Sequence, residues 1–198
     1  MRADRHSGHV IPEGRWHRLF EDLEAEAEAG ERAALTAEVA DRTRAETARI
    51  TLLGRLRAAR GHLVTCHLVG AGTVAGTVRE VGPDWFLVDE TVTGEAVVAL
   101  AALASLTGLG VHSAAPHDGG TVGARLDLRY ALRRLARGRV ALQVVLVDGS
   151  VVAGTLDRVG ADFVDVAEHP LGEARRRGAV RQVRTVPLRA LAVLRPAL

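Results

Sequence analysis

The sequence contains no lysine and a single cysteine, and only 3% of its 198 residues are aromatic. Because Cys66 has no second cysteine to pair with, we expect a protein of the reducing cytoplasm. The scarcity of aromatic side chains leaves few platforms on which unpaired bases could stack. No uncharged apolar run reaches membrane-spanning length, and the first ten residues lack the pattern of a signal peptide. We therefore expect a cytoplasmic protein that does not act at a membrane.

The sequence also lacks the motifs of common catalytic and metal sites. We find no phosphate-binding loop, no quartet of metal ligands and no nucleophile elbow. His6, His9 and His17 lie near the N-terminus, but no carboxylate or cysteine completes a coordination shell around them. Cys66 falls on the core face of a predicted strand, which is typical of an inert, buried thiol. These absences predict a protein that is not an enzyme and uses no cofactor.

One stretch of the sequence occurs twice. Residues 64–90 and 142–168 align without a gap, and 11 of their 27 positions are identical. Alternating apolar residues predict strands in both copies, and Asp148-Gly149 predicts a tight hairpin turn. Gly76 and Gly154 occupy the same position, where a glycine within a strand indicates a sharp bend or a close backbone contact.

The repeat resumes at residues 98–104 and 186–192, which predict a strand, a tight turn and a final strand. The offset between the copies grows there from 78 to 88, so ten residues have been added between the third and fourth strands of the second copy. We expect an α+β fold in which each copy forms a small five-stranded antiparallel barrel preceded by a helix.

This order resembles the Sm-like fold over residues 125–195. Gly149 and Gly154 fit the first motif of that family, and Arg189 fits the arginine of its second motif. The resemblance implies ring assembly and RNA binding.

The likeness to the Sm-like motifs is incomplete. Ala190 stands where the second motif usually has glycine. Gly160 and Val164 stand where an aspartate and an asparagine help to hold a base, which argues against a uridine pocket of the usual kind. The whole chain also resembles uncharacterised proteins of high-GC bacteria that often carry the label of Fis-family transcriptional regulators, although we find no helix-turn-helix signature here.

Composition and periodicity divide the chain into five predicted segments. They are a disordered tail (1–14), a helical arm (15–60), a first barrel (61–111), a linker (112–124) and a helix followed by a second barrel (125–198). The arm is rich in alanine, glutamate and arginine, which favour helices. It could pair with another copy as a coiled coil, fold back near Gly30 as a helical hairpin or, less in keeping with its balanced charges, lie on a membrane surface.

The two copies carry opposite charges. Residues 1–60 hold 11 acids and 11 arginines, residues 61–122 hold 6 acids and one arginine (−5), and residues 123–198 hold 7 acids and 14 arginines (+7), which together give the net charge of +2. Guanidinium groups suit phosphate well. We therefore predict a nucleic-acid-associated protein, with RNA favoured over DNA and a possible role in transcription regulation. The predicted phosphate-binding residues are Arg129, Arg133, Arg134, Arg137, Arg175, Arg176, Arg177, Arg181, Arg184 and Arg189.

A different interpretation of the same charges stays open. The acidic and basic barrels could dock on each other or on a partner, with arginines meeting Asp89, Glu90 and Glu95. The protein would then be an interaction scaffold that forms a homo-oligomer or binds a protein partner through its helical arm. We also expect Asp84 and Asp162 to accept local backbone hydrogen bonds in their turns, and Trp85 and Phe163 to be covered at an interface between barrels.

Overall fold

The structure is a computed structural model that describes residues 14–91, 94–114, 126–170 and 180–197. The fold is α+β, as the sequence predicts, with a long N-terminal helix and a large antiparallel sheet. Two compact units make up the chain, residues 1–50 and residues 51–198.

Among the described residues of the first unit is helix α1 (Gly14–Thr47), which is 34 residues long. It runs through Gly30 without a break, so the helical hairpin is wrong. Ion pairs one turn apart, such as Arg32–Glu28 and Arg42–Glu46, line its surface. These exposed pairs each add a few tenths of a kcal/mol, roughly 0.2–0.5, to an isolated helix.

The described residues of the second unit form two shorter helices and ten strands. Its helices are α2 (Leu52–Ala58) and α3 (Leu128–Gly138). The strands of the first copy are β1 (Leu63–Leu68), β2 (Gly72–Val81), β3 (Trp85–Glu90), β4 (Gly94–Ala99) and β5 (Leu103–Thr107). The strands of the second copy are β6 (Ala141–Leu146), β7 (Val151–Val159), β8 (Phe163–Glu168), β9 (Gln182–Pro187) and β10 (Leu191–Pro196).

The repeat seen in the sequence is also present in the strand register. Val64 pairs with Gly76 across β1 and β2, and Leu142 pairs with Gly154 across β6 and β7. A single 3₁₀ turn separates the last two strands of each copy, Leu100–Ala102 and Leu188–Ala190, which confirms the predicted strand, turn and strand.

Gly76 and Gly154 are needed for close packing between neighbouring strands. A Cβ atom at Gly76 would lie 2.3 Å from the carbonyl oxygen of Asp89, and one at Gly154 would lie 2.1 Å from that of Ala167. The close backbone contact expected from an in-strand glycine is therefore confirmed at the same position of both copies.

The ten strands form one sheet in the order β5-β1-β2-β3-β4-β10-β6-β7-β8-β9. β4 pairs with β10 through Val97 opposite Leu194 and Val98 opposite Val193. The sheet is not closed, since β5 and β9 stand at its two ends, and two separate five-stranded barrels are not confirmed. The pairing gives the backbone groups on the facing edges of β4 and β10 hydrogen-bond partners, which a free edge strand lacks.

Two buried clusters form the core, and each takes residues from both copies. The cluster around Phe86 of the first copy includes Val145 and Val193 of the second. The cluster around Leu132 of the second copy includes Ala99 of the first. The copies therefore share their cores and are not packed as independent bodies.

A polar contact also connects the copies at this boundary. The Arg195 guanidinium donates two hydrogen bonds to the Glu90 carboxylate, of 2.7 and 3.2 Å. The Arg195 side chain is only 15% exposed and that of Glu90 11%. We call the β4–β10 pairing together with this ion pair the junction.

Candidate nucleic-acid interface

Helix α3 presents most of the predicted arginines that the structure describes. Leu128 and Leu132 are buried on one side of the helix. Arg129, Arg133, Arg134 and Arg137 are all exposed. Helix α3 therefore has a buried apolar side and an exposed basic side.

The start of α3 is held by two carboxylates. Asp127 is the N-cap and accepts a 2.9 Å hydrogen bond from the Tyr130 backbone N–H. Asp84, from the first copy, accepts a 2.7 Å hydrogen bond from the Leu128 backbone N–H. Both bonds satisfy amides that have no partner within the helix. Asp84 thus positions the basic helix from 44 residues away along the chain, instead of accepting a local turn bond as expected.

Trp85 lies beside the same helix end. Its indole Nε1 donates a 2.7 Å hydrogen bond to the carbonyl oxygen of Leu126. The side chain is partly buried, and it packs against the core of the second copy. Its counterpart Phe163 is also half-buried, and the guanidinium of Arg158 lies 5.8 Å from the centre of its ring.

Arg129 is the one α3 arginine that forms an ion pair with a described residue. Its Nη2 lies 2.5 Å from the Asp127 carboxylate. Partial burial opposes ionisation of Asp127, but the Tyr130 amide and the guanidinium of Arg129 outweigh it and lower the pKa of that carboxyl. Because its charge is already balanced, Arg129 has less to offer a phosphate than its neighbours on the helix.

The predicted arginines of β9 and its flanks differ from one another. Arg184 is paired with Glu168, and this contact lowers the pKa of the Glu168 carboxyl. Arg181 donates its backbone N–H to the Glu168 carbonyl oxygen. Arg189 is exposed, and its side chain has no hydrogen bond or ion pair with any described residue. Arg175, Arg176 and Arg177 lie outside the described residues.

Three cavities show which arginines share an environment. Arg129 and Arg189 line a cavity of about 690 Å³, but Asp84, Asp127 and Asp162 line it too, so it is not a purely basic site. Arg134 lines a groove of about 590 Å³ that also holds Glu80 and Glu95, and Arg137 lines a third cavity of about 380 Å³ together with Arg139 and Asp157.

Arg139 is not among the predicted phosphate-binding residues, and the structure places it beside Arg137. It is the C-cap of α3 and adopts a left-handed backbone conformation with φ of 50°. The side chains of Arg133, Arg137 and Arg139 make no hydrogen bond or ion pair within the described part of the chain. We call these three residues the α3 arginine face. The arginine after the helix could have been found from its place at the end of the basic run.

The described residues contain no group of three or more histidine, cysteine or acidic side chains that could hold a metal ion. Cys66 is fully buried, and burial together with the nearby Glu90 raises its pKa to about 12. A thiol in this state holds its proton at neutral pH and is a poor nucleophile. No helix in the described ranges is both long and apolar enough to cross a membrane.

Comparison with known proteins does not assign the chain to a family. No protein-family model matches this sequence, and no curated protein matches it.

Proposed function

We propose that this protein binds the phosphate backbone of nucleic acid through its second copy, with RNA preferred over DNA. The observation that carries the proposal is the α3 arginine face, three exposed guanidinium groups that form no hydrogen bond or ion pair with a described acidic side chain, although the charge of Arg133 is felt by Asp127. Such groups bind phosphate by charge and hydrogen bonding, and they release counterions when they do so.

The charge difference between the copies supports this location. Residues 123–198 carry +7 and residues 61–122 carry −5, so an approaching polyanion is drawn to the second copy and repelled by the first. The scarcity of aromatic residues favours contacts to phosphates over stacking on bases. Binding of this kind is tolerant of sequence.

The preference for RNA rests on the Sm-like resemblance. Each half of the sheet has a leading helix, five antiparallel strands and a turn of the same kind before its last strand, which agrees with two Sm-like units. A regulatory role in transcription is a further part of this proposal, and it would follow from binding RNA or DNA in the cell.

The test is a salt titration of binding to labelled single-stranded RNA and duplex DNA. We expect affinity to fall steeply with salt and the Arg133→Gln/Arg137→Gln variant to bind more weakly. Losing two phosphate contacts should reduce the slope of log K against log salt by about 1.4 for single strands or about 1.8 for a duplex. Comparing the affinities for the two ligands at the same salt concentration shows whether RNA or DNA is preferred.

The matched control is Arg32→Gln/Arg42→Gln on α1, which removes the same charge from two arginines that are already paired with acids. An equal loss of affinity in both variants would mean that net charge, and not the α3 arginine face, controls binding. The variant Arg175→Ala/Arg176→Ala/Arg177→Ala tests whether the arginines of the ten-residue insertion also contribute to the affinity. No binding of the wild-type chain at low salt would reject the proposal.

A protein-interaction scaffold is the second candidate function. Helix α1 exposes Leu19, Phe20, Leu23, Leu35 and Val39, each at least 46% accessible, along a helix of 34 residues. Exposed apolar side chains of this size favour a partner surface. If the chain fails to bind nucleic acid but assembles, and Leu35→Glu/Val39→Glu abolishes that assembly, the scaffold becomes the better description.

A further inference from the structure

The two ends of the sheet present the counterparts of the strands that meet at the junction. In the repeat, β9 corresponds to β4 and β5 corresponds to β10. If β9 of one chain joined β5 of the next in the same way, the contact would be heterologous and would build a ring or a filament. Such pairing requires that the residues of β9 and β5 make the same contacts as their counterparts in β4 and β10 make at the junction.

Two apolar contacts of the junction are replaced by polar residues at the ends. Val97 pairs across the junction, and its counterpart on β9 is Thr185. Val193 is fully buried there, and its counterpart on β5 is Ser105, which is exposed. Pairing the ends would therefore bury the Ser105 hydroxyl where the junction buries the methyl groups of Val193, and a buried hydroxyl without a hydrogen-bond partner is costly. The Thr185 hydroxyl already donates to the Asp165 carboxylate in its own copy.

The neighbouring contacts change in the same direction. Val145 packs into the core of the first copy, whereas its counterpart His67 is exposed. The ion pair between Glu90 and Arg195 has no equivalent, because Thr107 stands at the position of Arg195. The counterpart of Glu90 is Glu168, and Arg184 already engages it.

The hairpin turns add a steric obstacle. At the junction, Gly70 of the first copy lies against the turn of the second, and a Cβ atom there would be 1.9 Å from the Val147 carbonyl oxygen. Gly70 also has φ of +66°, which glycine adopts readily. Its counterpart is Asp148, which has a side chain and is not in the left-handed region. The second copy therefore cannot offer a next chain the contact that Gly70 makes.

From these replacements we infer that the sheet does not extend beyond a single chain. The junction is used once, inside the chain, and neither end of the sheet pairs with a second copy. The opposite charges of the two copies would draw such ends together, but attraction at long range does not supply the missing fit. Polar and charged residues on edge strands are a recognised protection against edge-to-edge association. This inference is independent of nucleic-acid binding.

The first experiment measures the mass of the full chain by sedimentation velocity over a wide range of concentrations. Ser105→Arg and Thr185→Arg place a guanidinium on each end of the sheet. If the ends are unused, both variants have the same mass distribution as the wild type. A lower mass for either variant would overturn the inference, because it would show that an end of the sheet takes part in assembly.

The second experiment restores the junction chemistry at the ends with the variant His67→Val/Ser105→Val/Thr185→Val/Asp148→Gly. We expect concentration-dependent assembly into multiples of 21.0 kDa beyond the wild-type mass. The matched control carries Asp148→Ala in place of Asp148→Gly and keeps the obstructing Cβ, so it should stay at the wild-type mass. Circular dichroism checks that both variants are folded. Assembly of the control, or none by the glycine variant, would contradict the inference.

Discussion

Replacing Arg195 with methionine tests whether the junction depends on its ion pair. Arg195 and Glu90 are joined by hydrogen bonds of 2.7 and 3.2 Å and are 15% and 11% exposed. Two unit charges about 4 Å apart attract by about 4 kcal/mol at an effective dielectric constant of about 20. Desolvation costs several kcal/mol per ion, so the intact pair contributes little net stability.

Removing only Arg195 changes this balance, because Glu90 keeps its desolvation cost and loses its guanidinium. We expect Arg195→Met to lower the free energy of unfolding by about 3 kcal/mol, the lower end of the range for a broken buried pair, since water retains some access. For a unit of roughly 150 residues this corresponds to a fall in Tm of roughly 6–12 °C. Glu90→Met/Arg195→Met should return to within about 1 kcal/mol of the wild type, because it removes both charges.

The assay is urea unfolding followed by fluorescence in a Trp16→Phe background, so that Trp85, beside the second copy, gives the signal. Arg79→Met is the control, since its pair with Asp89 is exposed and its loss should cost less than about 1 kcal/mol. If the double variant were as unstable as Arg195→Met, the cost would arise from packing of the arginine stem, and the electrostatic account would be wrong.

Three further outcomes follow from the geometry. Asp84→Ala should destabilise the fold by about 1 kcal/mol through the lost cap on Leu128, whereas Asp162→Ala at the corresponding position should stay within about 0.5 kcal/mol in the same unfolding assay. Hydrogen bonds from Thr185 and Arg158 lower the pKa of Asp165 below its unfolded value of about 3.9. These bonds therefore stabilise the folded protein fully above that pH, and their contribution is lost as the pH falls through the folded pKa. The difference in free energy of unfolding between the wild type and Asp165→Asn should therefore become smaller as the pH of the unfolding assay is lowered. A difference that does not change with pH would refute this. Cys66 should react with a thiol reagent at pH 8 only after unfolding, and reaction at the rate of a free thiol would contradict its burial.

Local patterns in the sequence were sufficient to predict the elements of each copy. Alternating residues and Asp148-Gly149 located the strands and a hairpin, and the in-strand glycines marked close backbone contacts. The four-residue spacing of Leu128 and Leu132, which places them on one side of a helix, likewise agrees with the buried side of α3. These features depend on neighbours within a few residues, which a sequence displays directly.

Long-range partners could not be read in the same way. No local pattern states that β4 pairs with β10, or that Glu90 meets Arg195 from 105 residues away. The helical arm shows a similar limit. Its composition favours helix well beyond Thr47, where α1 ends, but the capping threonine Thr51 begins the separate helix α2. At the candidate site, the number of arginines in the sequence identified the basic helix. It could not show that Arg129 forms an ion pair with Asp127 while Arg133 forms none with a described residue.

The shortness of the β4–β10 ladder has a consequence for how the protein opens. Only two residue pairs join these strands, whereas β3 and β4 share six and β8 and β9 share six. Native proteins open in cooperative segments, and segments separate where the fewest hydrogen bonds hold them. The amides of Val97 and Leu194, which face each other across this ladder, should therefore exchange with deuterium before those at the centre of either copy, through a local fluctuation that opens the β4–β10 pairing.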